Sequence, residues 1–219
     1  MQHIWLNKQN NKNLIVFFAG WSFDFKPFEF LGCEDNDILF VYDYNELNFA
    51  EDFETYEKKY LITWSMGTFV AYLLKDLFKS FDKKISINGT PYPVDDEFGI
   101  PFKPFLLTLR HARTGLEGKF YQNIFSNDFE YERYLKSPVA RTIDNREKEL
   151  KVLYEKIKST SVKYEKFYDC ALISLDDKII PVKNQINFWQ KNAKYLTIES
   201  GHFPFYNFEK WNDIIKLAE

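Results

Sequence analysis

The sequence is poor in cysteine, in clustered metal ligands and in long apolar runs, and each absence excludes a class of protein. Its two cysteines, Cys33 and Cys170, are too few for a disulfide framework. Neither stands in a Cys-x-x-Cys or Cys/His pair, so we expect no zinc or other metal site. No stretch approaches 18 apolar residues, and residues 1–14 lack the apolar region of a secretory signal. We therefore expect a cytoplasmic protein without a membrane-spanning helix.

The charge balance and the aromatic content narrow the choice further. A net charge of −3 argues against general nucleic-acid binding, which requires a strongly basic surface. Apolar residues make up 45% of the 219 residues, which is enough for one domain with an inserted subdomain. Phenylalanine (23) and tyrosine (14) are unusually frequent. They predict a large aromatic core, and some of them are candidates for the lining of an apolar pocket.

Short and nearly continuous apolar runs predict the strands of a buried sheet. Such runs are typical of parallel strands that are covered on both faces. The predicted strands are a weak one at His3–Leu6 and stronger ones at Leu14–Phe18, Ile38–Tyr42, Tyr60–Trp64, Ile85–Asn88, Cys170–Leu175 and Tyr195–Ile198. Apolar residues at helical spacing predict helices at Met66–Lys79, Gln185–Asn192 and Phe208–Leu217. The alternation of strands and helices predicts an α/β fold with a mostly parallel sheet.

Two regions depart from this regular alternation. Residues 20–37 and 42–59 have little helical periodicity and many turn-forming residues, so we predict loop-like crossovers there. Between residues 90 and 166 no buried-strand run occurs, and apolar residues repeat at helical spacing near its end. We interpret residues 91–166 as a helical lid, inserted between two strands of a core that comprises residues 1–90 and 167–219.

The pentapeptide Thr63-Trp64-Ser65-Met66-Gly67 follows a predicted strand and precedes a predicted helix. It nearly matches Gly-x-Ser-x-Gly, in which a sharp strand-to-helix turn exposes a nucleophilic serine. Thr63 stands where that motif has its first glycine. Because a serine between a strand and a helix is often only a cap or turn residue, Ser65 by itself leaves both interpretations open.

A serine nucleophile needs a base, and the base needs an acid that orients it. Of the three histidines, His202 follows the last predicted strand, at the carboxyl edge of the sheet where ligands bind in open α/β folds. Asp176 and Asp177 follow the strand before it. The order Ser65, aspartate, His202 is the chain order of hydrolases that carry the serine on a strand–turn–helix elbow. The spacing therefore predicts a catalytic triad and leaves the two aspartates as alternatives.

These motifs resemble the α/β-hydrolase superfamily. The segment "TWSMG" is similar to its nucleophile elbow, "FFAGW" to its oxyanion loop and "GHFPF" to its histidine motif. The resemblance implies an oxyanion hole formed by the backbone N–H groups of Trp21 and Met66. In the superfamily's acid motif three residues separate the aspartate from a proline, which favours Asp177 in "DKIIP". Ala19 stands where many relatives have a histidine, so the side-chain hydrogen bond by which that histidine stabilises the loop is missing.

A narrower resemblance is to the BioG-type pimeloyl-[acyl-carrier protein] methyl ester esterases of biotin synthesis. It rests on the short chain, on the three motifs above and on "NGTPYPVDDEFGIP", and it runs from about Leu14 to the C-terminus. The family implies hydrolysis of a methyl ester on a pimeloyl chain that an acyl carrier protein carries, without a cofactor. A serine thioesterase, a general short-acyl carboxylesterase and a non-catalytic binding module on the same fold are the alternatives.

Such a substrate needs an apolar slot and a basic landing surface. The candidates for the slot are Trp21, Phe23, Trp64, Phe102, Phe105 and Leu106, although these side chains can equally pack the lid on the core. Residues 110–166 contain 13 basic and 9 acidic residues, a net charge of +4, whereas the rest of the chain has a net charge of −7. This asymmetry can steer an acidic carrier protein, and it is also ordinary for a solvated surface. Our candidates for the docking surface are Arg110, Arg113, Arg133 and Arg141.

Overall fold

A seven-stranded sheet forms the centre of the computed structural model, which describes residues 1–218 apart from the side chain of Glu117. The strands are β1 (Gln2–Asn7), β2 (Asn13–Phe18), β3 (Asn36–Tyr42), β4 (Lys58–Trp64), β5 (Lys83–Ile87), β6 (Cys170–Ser174) and β7 (Lys194–Ile198). They lie side by side in the order β1-β3-β2-β4-β5-β6-β7. All the predicted strands are confirmed, including the weak first one.

The direction of the strands explains their apolar sequences. Every neighbouring pair from β3 across to β7 is parallel, and β1 joins the edge of β3 in antiparallel register. Val16 in β2 pairs with Leu39 on one side and Leu61 on the other, and all three side chains are fully buried. Strands covered on both faces have no solvent-facing positions, so their sequences do not alternate.

The strand order changes direction at β2, and this change positions the site. From β2 the chain runs to β3 on one side and then returns to β4 on the other. Loops that leave the carboxyl ends of β2 and β4 therefore part from one another and open a crevice at the edge of the sheet. Trp21 follows β2 and Ser65 follows β4, so both residues lie at this crevice.

The α-helices within residues 1–218 are α1 (Met66–Leu73), α2 (Phe102–Gly115), α3 (Tyr121–Ile124), α4 (Asp128–Leu135), α5 (Ile143–Ser159), α6 (Val182–Asn192) and α7 (Trp211–Leu217). A π-helical segment, Leu116–Phe120, follows α2, and the 3₁₀ turns are Lys26–Phe28, Lys75–Phe78 and Pro204–Asn207. The helix predicted at Met66–Lys79 ends earlier, because the chain tightens into a 3₁₀ turn after Leu73. Within residues 1–218, no helix is both long and apolar enough to span a membrane.

The predicted loop-like crossovers are confirmed, and aromatic rings occupy the space that crossover helices would fill. Within the described chain, the connection from β2 to β3 contains one 3₁₀ turn, and the connection from β3 to β4 contains no helix. The ring of Phe28 in the first connection lies 5.2 Å from that of Phe17 and 5.1 Å from that of Phe40, measured between centroids. It also stacks against Trp211 of α7. Phe28 therefore packs this connection on the sheet in place of a helix.

Helices α2 to α5 lie between β5 and β6 in the chain. Polar caps begin two of them, because the side chain of Asn127 accepts from the Glu130 N–H and that of Thr142 from the Asn145 N–H. Helices α2 and α5 pack together, and each contributes a buried apolar side chain to the main core, Phe105 and Leu150 respectively. This inserted segment therefore shares one core with the sheet.

Candidate active site

Ser65 lies on the sharp turn between β4 and α1. Its backbone angles are φ 55° and ψ −125°, a conformation that costs a residue with a side chain about 1–3 kcal/mol. A Cβ atom on Gly67 would lie 2.4 Å from the carbonyl oxygen of Phe18, so only glycine lets α1 approach β2 this closely. The strained serine and the following glycine together form an elbow that holds the serine at the crevice.

Thr63 is tolerated at the position of the missing glycine because its buried hydroxyl has hydrogen-bond partners. The side chain is fully buried, and Oγ1 lies 3.0 Å from Oγ1 of Thr68 and 3.3 Å from the carbonyl oxygen of Ile85. Oγ1 of Thr68 in turn lies 3.0 Å from Oγ of Ser86. This chain of hydroxyl groups links the start of α1 to β4 and β5 behind the elbow, so the threonine hydroxyl is satisfied in the interior.

Three polar side chains from separate loops meet at the carboxyl edge of the sheet. Nε2 of His202 lies 2.9 Å from Oγ of Ser65, and Nδ1 of His202 lies 2.8 Å from Oδ2 of Asp177. The histidine and aspartate side chains are 3% and 0% exposed. A neutral imidazole in this arrangement donates from Nδ1 to the carboxylate and leaves Nε2 free to accept the serine proton. The geometry is therefore suited to acyl transfer.

The structure places Asp177, and not Asp176, beside the histidine. Oδ1 of Asp177 accepts hydrogen bonds from the backbone N–H groups of Ile179 and Ile180, at 2.8 and 2.9 Å. Oδ2 accepts a further bond from the side-chain amide of Gln185 at 2.8 Å. Asp176 is exposed and pairs with Lys178. Gln185 had no signal in the sequence, because it meets the carboxylate only after α6 folds back.

The backbone N–H groups of Trp21 and Met66 are available at the crevice. Met66 is the first residue of α1, so its N–H has no acceptor within the helix. Within residues 1–218, neither N–H donates a hydrogen bond to a protein atom. Both residues line the same cavity as Ser65, which is consistent with the expected oxyanion hole.

An apolar cavity of about 650 Å³ opens beside Ser65. Four of the six predicted slot residues line it, namely Trp21, Phe23, Trp64 and Phe105. The inserted segment contributes further apolar walls from α2, the π-helical segment and α3, including Leu116, Phe120 and Ile124. Its size lies in the range of about 300–1,000 Å³ that is usual for small-molecule sites.

The prediction for Phe102 and Leu106 requires correction, because these residues do not line the cavity. They are four positions apart on α2 and therefore share one face of the helix. Phe102 is 46% exposed, and Leu106 is partly buried against the core. Phe105, one position away, is turned into the cavity.

The prediction for Arg141 as a docking residue also requires correction. Its side chain is only 6% exposed and forms ion pairs with Asp43 and Glu149, at 3.3 and 2.9 Å. A buried guanidinium with two carboxylate partners cannot reach a carrier protein. The sequence misled us because an arginine in a basic, helical segment is normally a surface residue.

The other three predicted docking arginines differ in their surroundings. Arg110 is exposed on α2. Arg113 is 65% exposed and pairs with Asp144 at 2.8 Å. The guanidinium of Arg133 is half-buried and stacks over the ring of Tyr206, 4.0 Å from its centroid. Arg110 and Arg113 are therefore better placed than Arg133 to meet a partner.

Asn88 is a buried residue of the site region that the sequence reasoning missed. Its φ of 44° lies in the left-handed region, which asparagine tolerates better than most residues. Its amide nitrogen donates to the hydroxyl of Ser174 at 2.7 Å and to the carbonyl oxygen of His202 at 3.0 Å. In the sequence it appears only as the last residue of the strand predicted at Ile85–Asn88 and as the first residue of "NGTPYPVDDEFGIP".

Glu149 on α5 is a second buried group that was missed. It is fully buried, and its carboxylate accepts the backbone N–H groups of Ser22 and Tyr44, at 3.1 and 2.8 Å. Burial raises the pKa of this carboxyl, and the guanidinium of Arg141 opposes the shift. The carboxylate thus ties the inserted segment to the loop that carries Trp21.

The model of the family described as pimeloyl-ACP methyl esterase BioG matches residues 1–214. The chain belongs to the BioG family. A malonyl-[acyl-carrier protein] O-methyltransferase of Bacteroides fragilis is 32% identical over 195 residues, which cover 87% of this chain and 39% of that protein. The BioG-family chain thus spans about two fifths of the length of this relative.

Solved structures agree with the family and the fold. The crystal structure of BioG from Haemophilus influenzae has a TM-score of 0.88 at 30% identity, with 98% of this chain and 99% of that chain covered. A lipase-esterase related protein from Clostridium acetobutylicum has a TM-score of 0.62 at 17% identity, with 99% and 96% covered. The BioG-family resemblance and the α/β-hydrolase fold are therefore confirmed.

Proposed function

We propose that the chain is a serine carboxylesterase acting on pimeloyl-[acyl-carrier protein] methyl ester. It would release methanol and pimeloyl-[acyl-carrier protein] for biotin synthesis. The observation that carries the proposal is the Ser65–His202–Asp177 arrangement, next to an apolar cavity, in a chain of the BioG family. In it Ser65 is the nucleophile, His202 the general base and Asp177 the acid that orients the base.

The first half of the reaction forms an acyl-enzyme. As Oγ of Ser65 bonds to the ester carbonyl carbon, Nε2 of His202 takes the serine proton, and Asp177 stabilises the resulting imidazolium. The carbonyl oxygen becomes an oxyanion that accepts the N–H groups of Trp21 and Met66. Each such donor is worth on the order of 3 kcal/mol in the transition state.

Collapse of the tetrahedral intermediate completes the first half, and hydrolysis of the acyl-enzyme in the second half returns the enzyme to its starting state. The intermediate collapses with cleavage of the bond to the methoxy oxygen, which takes the proton from His202 and leaves as methanol. Water then attacks the acyl-serine while His202 accepts one of its protons, and the proton passes to Oγ of Ser65 as the carboxylic acid is released. The chemistry uses groups of this chain and water alone.

The cavity supports an acyl chain of pimeloyl type as the group bound beside Ser65. Its walls are mostly aromatic and aliphatic, from Trp21, Phe23, Trp64 and Phe105 to Leu116. Polar groups that line it include Lys119 and Lys178, both of which are exposed. An apolar chain would therefore reach Ser65 with its methyl ester while its thioester end remains near solvent.

The inserted segment supports a carrier protein as the partner. We propose that residues 91–166 form a lid over the core, with a docking surface that includes Arg110 and Arg113, both exposed, and with Arg133 at a more buried position. The net charge of +4 for residues 110–166 suits an acidic partner. The name of the Bacteroides fragilis relative also refers to an acyl group on an acyl carrier protein.

The decisive experiment is product analysis with a methyl-pimeloyl carrier protein. We expect methanol in the medium and an intact carrier that has lost one CH₂ in mass, with its thioester preserved. Ser65→Ala should abolish both products. Ser161→Ala, which changes an exposed serine between α5 and β6, is the matched control and should keep full activity.

Each alternative gives a different result in the same assay. Release of free carrier thiol would identify a thioesterase instead. Turnover of small esters without turnover of the carrier substrate would identify a general short-acyl esterase. If no ester is hydrolysed in a Ser65-dependent way, a non-catalytic binding module is the alternative that remains.

A further inference from the structure

The loop after β2 is held by hydrogen bonds to the inserted segment. Trp21, whose N–H is the proposed oxyanion donor, is followed in this loop by Ser22 and Phe23. The contacts are Trp21 Nε1 to the Arg146 carbonyl oxygen at 2.8 Å, Ser22 N–H to Glu149 Oε2 at 3.1 Å, and Arg141 Nη1 to the Phe23 carbonyl oxygen at 3.1 Å. Three consecutive residues are therefore fixed by α5 and by the residues just before it.

Glu149 is the centre of these contacts. Both of its oxygens accept a backbone N–H, from Ser22 after β2 and from Tyr44 after β3, and Arg141 pairs with Oε2 at 2.9 Å. A fully buried carboxylate is costly to desolvate, and a buried ion pair is a weak source of stability compared with apolar packing. Instead, the pair fixes the loops after β2 and β3 relative to helix α5.

Ser22 needs such support. Its φ of 73° lies in the left-handed region, which is unfavourable for a residue with a side chain, so surrounding contacts must hold it. The next residue, Ser22, is fixed by its N–H on Glu149, and the Trp21 indole is fixed on the Arg146 carbonyl oxygen. These two contacts leave the Trp21 backbone little freedom. In this chain Ala19 cannot supply a side-chain hydrogen bond to the loop. The carboxylate of Glu149 on α5 supplies a side-chain acceptor to this loop instead.

We propose that Glu149, carried by the inserted segment and paired with Arg141, is a positioning residue that aims the Trp21 N–H at the oxyanion. The inserted segment is then a part of the catalytic framework as well as a cover for the cavity. This inference rests on the proposed ester hydrolysis, so its test uses a wild-type enzyme already shown to depend on Ser65.

The test is Glu149→Gln, assayed with a short-chain p-nitrophenyl ester. The amide keeps one acceptor oxygen but presents its NH₂ group to a backbone N–H or to Arg141, so the loop should shift. We expect kcat to fall by about 10–100-fold with KM within about twofold, since complete loss of one oxyanion donor costs about 10²–10³-fold. Glu155→Gln, which changes an exposed glutamate on the same helix, should behave as wild type.

A second readout separates positioning from general damage. A trifluoromethyl ketone forms a tetrahedral adduct whose oxyanion uses the same N–H groups, so its inhibition constant should rise in step with the loss of kcat. Circular dichroism at the assay temperature establishes that the variant is folded. A folded Glu149→Gln enzyme with kcat within twofold of wild type, or with an unchanged inhibition constant, overturns the proposal.

Arg141→Lys keeps the proposal testable if Glu149→Gln does not fold. A lysine ammonium cannot bind Glu149, Asp43 and the Phe23 carbonyl oxygen together. We expect a smaller fall in kcat of about 3–10-fold and a parallel rise in the inhibition constant. Wild-type values for both quantities would refute the positioning role, whereas a wild-type chain that cleaves no ester would refute the proposed function instead.

Discussion

The side-chain amide of Asn88 donates a 3.0 Å hydrogen bond to the backbone carbonyl oxygen of His202. The same side chain bonds twice to Ser174, the last residue of β6: Nδ2 donates to the hydroxyl, and Oδ1 accepts the backbone N–H, each at 2.7 Å. Since β6 leads directly to Asp177, one buried amide fixes the loop of the proposed base to the strand that carries its acid.

Removing this amide should impair catalysis. Asn88→Gly retains a residue that accepts φ 44° and deletes the hydrogen bonds of the Asn88 side chain. We expect kcat on a short-chain ester to fall by about tenfold or more and the free energy of unfolding to fall by about 1–3 kcal/mol, because buried polar groups lose their partners. Asn187→Ala, at a half-buried position of α6 whose amide donates to the Glu97 carbonyl oxygen at 3.4 Å, is the control. A kcat within twofold of wild type for Asn88→Gly would contradict this role.

The two aspartates should differ sharply. Asp177→Asn removes the carboxylate that holds the Nδ1–H tautomer of His202, and comparable changes in serine hydrolases lower kcat by about 10⁴. Asp176→Asn alters an exposed side chain and should leave kcat within twofold. Steady-state kinetics with a p-nitrophenyl ester measures both. If Asp176→Asn were the crippling change, the assignment of Asp177 would be wrong.

Thr63 should affect stability more than chemistry. Thr63→Val keeps the shape of the side chain and deletes a hydroxyl that bonds to Thr68 and Ile85. We expect unfolding to become easier by about 1–2 kcal/mol, because those partners are left under-satisfied. Chemical denaturation measures the loss, and kcat should remain within about threefold. Thr63→Ser, which keeps the hydroxyl, separates its effect from that of the methyl group. A large loss of kcat at unchanged stability would mean that the hydroxyl takes part in the chemistry.

Carrier docking should depend on the exposed arginines of the inserted segment. In the double variant Arg110→Glu and Arg113→Glu, KM for the methyl-pimeloyl carrier should rise about tenfold, while kcat/KM for a small ester should not change. The KM of the wild-type enzyme for the carrier should also rise with ionic strength. Lys12→Glu reverses an exposed charge before β2, at the opposite edge of the sheet, and serves as the control. Equal losses of kcat/KM on the carrier substrate and on the small ester would exclude this surface as the docking site for the carrier protein.

The sequence predicted those features that leave a local pattern. The strands were recognisable because β2 to β6 are buried on both faces, and the proximity of Ser65 to His202 was predictable because each follows a strand in a known chain order. Asn88 and Glu149 left no such pattern, because their partners His202 and Ser22 are 114 and 127 residues away in the chain. Arg141 was misassigned for the same physical reason, since its burial depends on residues far away in the sequence.

The cavity shows a similar limit. Phe105 faces it, whereas Phe102 and Leu106 do not, because a one-residue difference in helix phase decides which side of α2 a side chain takes. That phase is fixed by packing against α5, which the sequence of α2 alone does not specify. The sequence favoured Asp177 over Asp176 only through the resemblance of "DKIIP" to a known motif, whereas the structure shows the contacts of Asp177 with His202 and with two backbone N–H groups.

The aromatic packing of the connection between β2 and β3 has a consequence for how this chain can change. Connections at the surface of a domain usually tolerate gained or lost residues, because little depends on their register. Here the connection places Phe28 among Phe17, Phe40 and Trp211, and removing such a ring costs about 3–5 kcal/mol. A residue gained or lost between Trp21 and Phe28 would withdraw that ring from its partners, because Trp21 is held separately by the inserted segment. The length of this loop is therefore as constrained as that of a central strand.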